Sequence, residues 1–302
     1  MEFLHRREID DQKWDEVIAQ STAETLYPYS WYLDAAAVNW SALVMENYRF
    51  VMPVIWKKKY GLRYLYQPFY TQQLGVFSKE YVDPTLITAM LSLLVKRFRF
   101  ATLNFNTKNL VGEKNPFTVY DKTNYELDLR HDYEKLHSSY STNAKRNVKK
   151  ALDLNEVVEK DVSIEELVAF KRKNDVIKRT EEEYRWLVNL LETIRKNSAG
   201  YVYASMDEGI LSAAAFFGFS RSRAIYLVSA SSDRGKEDRG MFKLVDAFIK
   251  EHAGSELILD FEGSNIPNVA RFFAGFGASP ELYQGVSFNR LPLFLNKLKK
   301  HG

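Results

Sequence analysis

Residues 210–263, ILSAAAFFGFSRSRAIYLVSASSDRGKEDRGMFKLVDAFIKEHAGSELILDFEG, decide the fold. Residues 211–219 and 224–229 are apolar runs of strand length, rich in aromatic and small residues. The glycine-bearing stretch 231–240 reads as a loop that leads into a helix over 241–252, and 257–261 is a further strand. The same order occurs upstream. Residues 50–56 and 62–66 read as strands joined by the polar turn 57–61. Pro84 opens a helix over 84–96, with Leu86, Met90, Leu91, Leu94 and Val95 at helical spacing, and 100–105 is again a strand. Landmarks recur about 160 residues apart, Phe50 with Ile210 and Tyr64 with Ile225. The strands after the two helices read Leu103-Asn104-Phe105-Asn106 and Leu259-Asp260-Phe261-Glu262. We read a tandem duplication of one α/β unit, divided into residues 1–124 and 125–302.

The flanks carry their own signals. Ile9-Asp10-Asp11 caps a helix with Trp14, Val17 and Ile18 on one face. Residues 126–129 are a short strand, and 131–155 are helical in parts and basic in the middle. Ser163-Ile164-Glu165-Glu166 and Thr180-Glu181-Glu182-Glu183 are capping boxes, the second starting a helix through Ile194. Residues 200–205 are a strand candidate.

Composition narrows the chemistry. The 302 residues are 46% hydrophobic and 27% charged, an ordinary globular balance. The absence of cysteine excludes disulfides, thiolate zinc sites, iron–sulfur clusters and a cysteine nucleophile. The five histidines show no metal-ligand spacing, so no metal is expected. There is no Gly-x-Ser-x-Gly elbow, P-loop or dinucleotide fingerprint. A net charge of +3 is too mild to argue for nucleic acid, and the 18 Tyr and 20 Phe are expected in sheet cores. No apolar run approaches 18 residues, and the charged N-terminus has no apolar signal core. A soluble, cytoplasmic protein without a membrane span is the expectation.

Several residues carry the resemblance to a known family. They are the basic stretch from Ser141 through Lys145, Arg146, Lys149 and Lys150 to Ala151, and Leu259-Asp260-Phe261-Glu262-Gly263-Ser264 with Pro267, Phe272-Phe273, Phe276-Gly277 and Tyr283. Trp14, Pro53, Gln67-Pro68 and Gln73-Leu74-Gly75 complete the set. In order and spacing they resemble the FemABX-like acyltransferases across nearly the whole chain. The resemblance implies two tandem GNAT-like domains, each a twisted mixed β-sheet flanked by helices. It implies an N-acyltransferase that moves an acyl or aminoacyl group from acyl-CoA or aminoacyl-tRNA to an amine, with a cell-wall precursor as one acceptor. The tRNA-dependent members often carry a long helical-hairpin arm, whereas residues 163–194 read as two ordinary helices. The competing expectation is a non-catalytic binding protein on a degenerate fold of this type; a nucleic-acid binder using residues 145–150 is a third.

Acyl transfer of this kind needs a base for the amine and main-chain N–H groups for the carbonyl. Asp260 and Glu262 are the base candidates, two apart at the C-terminal end of a strand and so expected on one side of the sheet. Tyr226 is the general-acid candidate, and Tyr283 is similar. By resemblance the polarising N–H groups lie near Val228 and Ser229, where two strands splay. GNAT proteins hold CoA pyrophosphate on a Gln/Arg-x-x-Gly-x-Gly/Ala loop at a helix start. The equivalent here is residues 233–241, with Arg234, Arg239 and Gly240 as the binding candidates. Its spacing departs from that pattern: Glu237 stands three residues after Arg234 and Arg239 stands five after. We lean to acyl-CoA over aminoacyl-tRNA as donor. Tyr70, Gln72 and Gln73, with Lys145 and Arg146, are the substrate-binding candidates. Ser264 and Asn265 read as helix caps.

Overall fold

The computed structural model describes residues 1–112, 115, 117–154, 157–160, 162–263 and 266–291. Two units emerge: residues 1–122 together with 282–302, and residues 123–281.

The first unit begins with β1 (Glu2–His5), α1 (Asp11–Gln20), α2 (Ser30–Ala36), β2 (Trp40–Met45), β3 (Phe50–Lys59) and β4 (Leu62–Leu65), and continues with α3 (Pro84–Arg97) and β5 (Phe100–Asn104). Asp10 caps α1 by accepting the Lys13 N–H, and Asp83 caps α3 just before Pro84. Trp14 is fully buried, and its indole N–H donates to the Pro28 carbonyl at 2.8 Å. Ile87, Met90, Leu91 and Leu94 form the buried face of α3.

Strand β6 (Thr118–Asp128) leads into the second unit. There follow α4 (Tyr133–Ser138), α5 (Thr142–Leu152), β7 (Val157–Lys160), α6 (Ile164–Asn174), α7 (Glu181–Asn197), β8 (Ala199–Asp207), β9 (Ile210–Phe219) and β10 (Arg223–Ser231). The unit ends with α8 (Asp233–Glu237), α9 (Gly240–His252), β11 (Ile258–Asp260), α10 (Pro267–Gly275) and the start of β12 (Ser279–Asn289). Both capping boxes form: Ser163 with Glu166 at the start of α6, and Thr180 with Glu183 at the start of α7.

The duplication is visible in the strand orders. The first unit runs β1-β2-β3-β4-β5-β12 and the second β7-β8-β9-β10-β11-β6. In each, the fourth and fifth strands are parallel and the other described neighbours antiparallel. The hairpin β3–β4 thus corresponds to β9–β10, α3 to α9 and β5 to β11. The mixed sheets with helices are those expected. The units divide differently from residues 1–124 and 125–302 at the C-terminal end. The segment from Leu282 groups with the first unit because β12 pairs with β5 over Gly285–Asn289.

Alternation explains the packing of the second sheet. Tyr203, Phe217 and Tyr226 meet Leu244, Val245, Phe248 and Ile249 of α9, and the rings of Phe217 and Phe248 stack at 3.8 Å. Val202, Ala204, Phe216 and Ile225 are buried on the alternate face, and α6 and α7 lie against β10 and β8. Among the described residues no helix is long and apolar enough to cross a membrane.

Candidate functional site

The sheet of the second unit opens between its two parallel strands. The β10–β11 ladder has three pairs, Arg223↔Ile258, Ala224↔Leu259 and Ile225↔Asp260, and stops there. Beyond Asp260 the chain stays with β6, where the Phe261 N–H donates to the Tyr125 carbonyl at 3.0 Å. Strand β10 instead runs on beside β9 to Ser231, with a bulge between Tyr226 and Val228. The strands part, and from Tyr226 onward the main chain of β10 has no ladder partner in β11. Val228 and Ser229 lie on this divergent length. Main-chain donors facing such an opening are able to hold a polarised carbonyl.

Asp260 ends β11 and is 3% exposed. One Arg223 guanidinium nitrogen lies 3.3 Å from its Oδ2 and 2.7 Å from Oε1 of Glu126. The Asn124 amide donates to the same Glu126 oxygen at 3.1 Å. Burial raises the Asp260 pKa, Arg223 opposes this, and Glu126 adds to it. Asp260 Oδ1 also accepts the Glu262 N–H at 2.9 Å, which closes an Asx turn. The expectation that Asp260 and Glu262 share one side of a strand is corrected here. The strand ends at Asp260, and Glu262 sits beyond it with φ at +57°. Gly263 follows at φ +52°, and a Cβ there would come 2.2 Å from the Thr123 carbonyl oxygen. The turn is therefore fixed on both sides of a half-buried Glu262. Ser264 and Asn265 lie outside the described residues.

Tyr226 is buried among Phe217, Phe261 and Phe273. Its hydroxyl donates to Met241 Sδ at 3.0 Å in the first turn of α9, and burial raises its pKa. A hydrogen bond with the Ser229 side chain opposes that rise and links Tyr226 to the divergent length of β10. Tyr283 is also buried, on β12. Lys171, in the last turn of α6, donates to the Ser229 carbonyl at 3.3 Å and to Asp175 at 2.9 Å. No local pattern marks Lys171 as reaching the end of β10, since that contact is made across the fold.

The stretch 231–240 is not an open anion loop. It holds the one-turn α8, capped by Ser232 and pressed onto β9, so that a Cβ at Gly235 would fall 1.9 Å from the Ser212 carbonyl oxygen. The N–H groups of Gly235, Lys236 and Asp238 donate to Ser232 Oγ, the Ser232 carbonyl and the Arg234 carbonyl. Arg234 is paired with Asp207 and Asp238, and Lys236 with Asp233. Arg239 takes φ +63° ahead of Gly240, and its side chain donates to Asn147 of α5 and to the Lys236 carbonyl. Three of its N–H groups are used internally and four acidic groups lie along it, so the stretch departs from the open glycine-rich cradle of the GNAT pattern, while the start of α9 at Gly240 and Met241 carries no side-chain cap.

Basic α5 borders the same stretch. Lys150 donates to the Glu237 carbonyl at 3.1 Å, whereas Lys145 and Arg146 bond within α4–α5, to the Ser138 carbonyl and Asn143 Oδ1. Among the described residues no group of three His, Asp or Glu is placed to hold a metal.

In the first unit the corresponding gap between β4 and β5 is filled. Those strands pair only at Leu65↔Ala101, and the chain at 67–76 enters beyond it. The Leu74 N–H donates to the Asn104 carbonyl at 2.9 Å, the Asn104 amide to the Gln72 carbonyl at 2.9 Å, and the Asn104 N–H to Gln67 Oε1 at 3.1 Å. Gln73 is buried with its amide on Gln72, and the Tyr70 carbonyl accepts from Tyr32. Tyr70, Gln72 and Gln73 are thus part of a loop that plugs its own sheet.

No protein-family model and no curated protein matches the sequence. Solved structures do match its fold. FemX aligns over 99% of this chain and 100% of its own, with a TM-score of 0.66 at 12% identity. A tandem GNAT protein from the clavulanic acid biosynthesis pathway aligns over 96% and 99%, with a TM-score of 0.56 at 11% identity. The chain has the FemABX-like, tandem GNAT-type fold. L-PGS from Bacillus licheniformis shares it over 96% of this chain and 95% of its own, with a TM-score of 0.53 at 10% identity. In this FemABX-like frame α6 and α7, of 11 and 17 residues, are two ordinary helices. The β10–β11 opening lies in the second GNAT-like unit.

Proposed function

We propose that the chain is an N-acyltransferase that moves an acyl or aminoacyl group from an activated ester to the amine of an acceptor at the β10–β11 opening. The observation that carries this reading is the ladder that stops at Ile225↔Asp260 beside a bulged, diverging β10. The plugged counterpart in the first unit supports placing the chemistry in the second.

The acceptor amine must arrive unprotonated. Glu262, fixed in its turn, takes the proton as the amine attacks the carbonyl carbon. The C–N bond forms, the bond from the acyl carbon to the leaving group breaks, and the proton that Glu262 took from the amine passes on to the leaving oxygen or sulfur, which restores the carboxylate. The main-chain N–H of Val228 or Ser229, whichever faces away from β9, meets the oxyanion, a type of contact whose loss costs about 100- to 1,000-fold in rate. Asp260 acts as the positioning residue that holds the Glu262 turn.

The capped α8 turn and its acidic residues weigh against CoA, and aminoacyl-tRNA is the other donor that the resemblance offers. Lys145, Arg146 and Lys149 on α5 suit its phosphates. A cell-wall precursor with a free amine is the acceptor that the same resemblance favours. Calorimetric titration with acetyl-CoA, CoA and a stable 3′-aminoacyl-adenosine amide tests the donor. We expect saturable binding of the aminoacyl analogue alone. Micromolar binding of CoA, weakened by Arg239→Ala, would reverse the donor assignment.

A further inference from the structure

Residues 175–179 join α6 to α7 and carry two adjacent branched aliphatic side chains, Val176 and Ile177. They are 94% and 80% exposed, more than any other large apolar side chain among the described residues. Turn positions ordinarily take Gly, Asn, Asp or Ser, so two adjacent β-branched residues at a tip serve no local folding need. Their neighbours are cationic: Arg172 and Lys173 precede them, and Lys178 and Arg179 follow.

The tip is built, not loose. On its inner side Asp175 accepts from Lys171 at 2.9 Å and from the Tyr184 hydroxyl at 3.2 Å. Lys178 donates to the carbonyls of Arg172 and Lys173 at 2.9 and 3.1 Å, which closes the C-terminus of α6. Of the acids that follow, Glu181 pairs with Arg172 at 2.7 Å, Glu183 is taken up by the Thr180 capping box, and Glu182 is exposed in the first turn of α7. Polar braces face inward and the aliphatic pair faces out.

We propose that this tip docks on an anionic lipid surface, Val176 and Ile177 entering the acyl boundary and the flanking cations meeting the headgroups. Aliphatic side chains at a tip with Lys and Arg beside them suit the bilayer interface, where long basic side chains reach back to the headgroups. The cations also select the charge of that surface. Lys171 ties the end of α6, which carries the tip, to Ser229 at the end of β10.

Flotation of the purified chain with vesicles is the test. Phosphatidylcholine vesicles containing 30% phosphatidylglycerol are expected to carry the protein, and pure phosphatidylcholine vesicles at least tenfold less. Val176→Asp with Ile177→Asp should lower binding at least tenfold and leave the thermal midpoint unchanged, because both side chains are exposed. Lys173→Glu should lower it about fivefold, and 0.5 M salt should do likewise. Absence of binding to the anionic vesicles, or equal binding by the double Asp variant, overturns the proposal. So does concentration-dependent dimerisation that the same variant abolishes while vesicle binding persists.

Discussion

Arg223 places one guanidinium nitrogen 2.7 Å from Glu126 and 3.3 Å from Asp260, so that a single buried cation serves two largely buried carboxylates on neighbouring strands. The asymmetry decides what each substitution costs. Arg223→Met leaves both carboxylates uncompensated, for which we expect a loss of about 3–5 kcal/mol. Asp260→Asn keeps an oxygen for the Glu262 N–H and leaves Arg223 paired with Glu126, so about 1 kcal/mol is expected. Urea unfolding of the two variants gives the order directly.

Asp246 supplies a pH dependence. It is buried on α9, accepts the Tyr133 hydroxyl at 2.9 and 3.0 Å, and has its pKa raised above the ordinary 3.8, chiefly by burial. The folded state therefore binds this proton more tightly than the unfolded chain. The contribution is full below pH 3.8 and is lost as pH rises through the raised folded value. Asp246→Asn removes the linkage. Its stability relative to the natural protein should climb between pH 4 and pH 7, and a difference independent of pH would contradict this.

Gly235 tests how α8 is held. A methyl group there meets the Ser212 carbonyl oxygen at 1.9 Å, against which only the backbone can yield. Gly235→Ala should cost about 1–3 kcal/mol. Gly209→Ala has open space and only its φ of +78° to contend with, so about 1 kcal/mol is expected. Thermal unfolding of the pair separates the two effects.

Glu262 and Tyr226 divide the catalytic assignment. Glu262→Gln should lower the turnover number by about 100- to 10,000-fold, the usual worth of a general base, without changing stability. Tyr226→Phe removes a hydroxyl that faces Met241 inside the core. Its turnover should stay within about threefold of the natural value if its bond with the Ser229 side chain serves only to hold β10 and passes no proton. A large loss in Tyr226→Phe would return it to the role of general acid.

The repeat was legible because its strands are apolar runs and its helices carry capped, periodic faces. What remained hidden lies in tertiary context. Strand β12 reads SPELYQGVSFN, with four exposed residues first, and its partner β5 lies more than half the chain away in sequence. Strands β1 and β7 are four residues long, too short for a period to register. Helix α8 is hydrophilic and exists because Ser232 caps it and Gly235 seats it on β9. Asp260 and Glu262 were legible as a pair, but their facing was not, because a non-glycine residue at φ +57° leaves no mark in sequence. The partners of Asp260, Arg223 and Glu126, are set by strand register and not by local spacing.

The most direct measurement is a backbone amide NMR titration of the chain with a non-hydrolysable 3′-aminoacyl-adenosine amide. The transferase account expects the largest shifts at Leu227, Val228 and Ser229 on β10 and at Glu262 and Gly263 beyond β11. Shifts confined to the first-unit loop around Gln72 and Leu74, or none at saturating analogue, would contradict it.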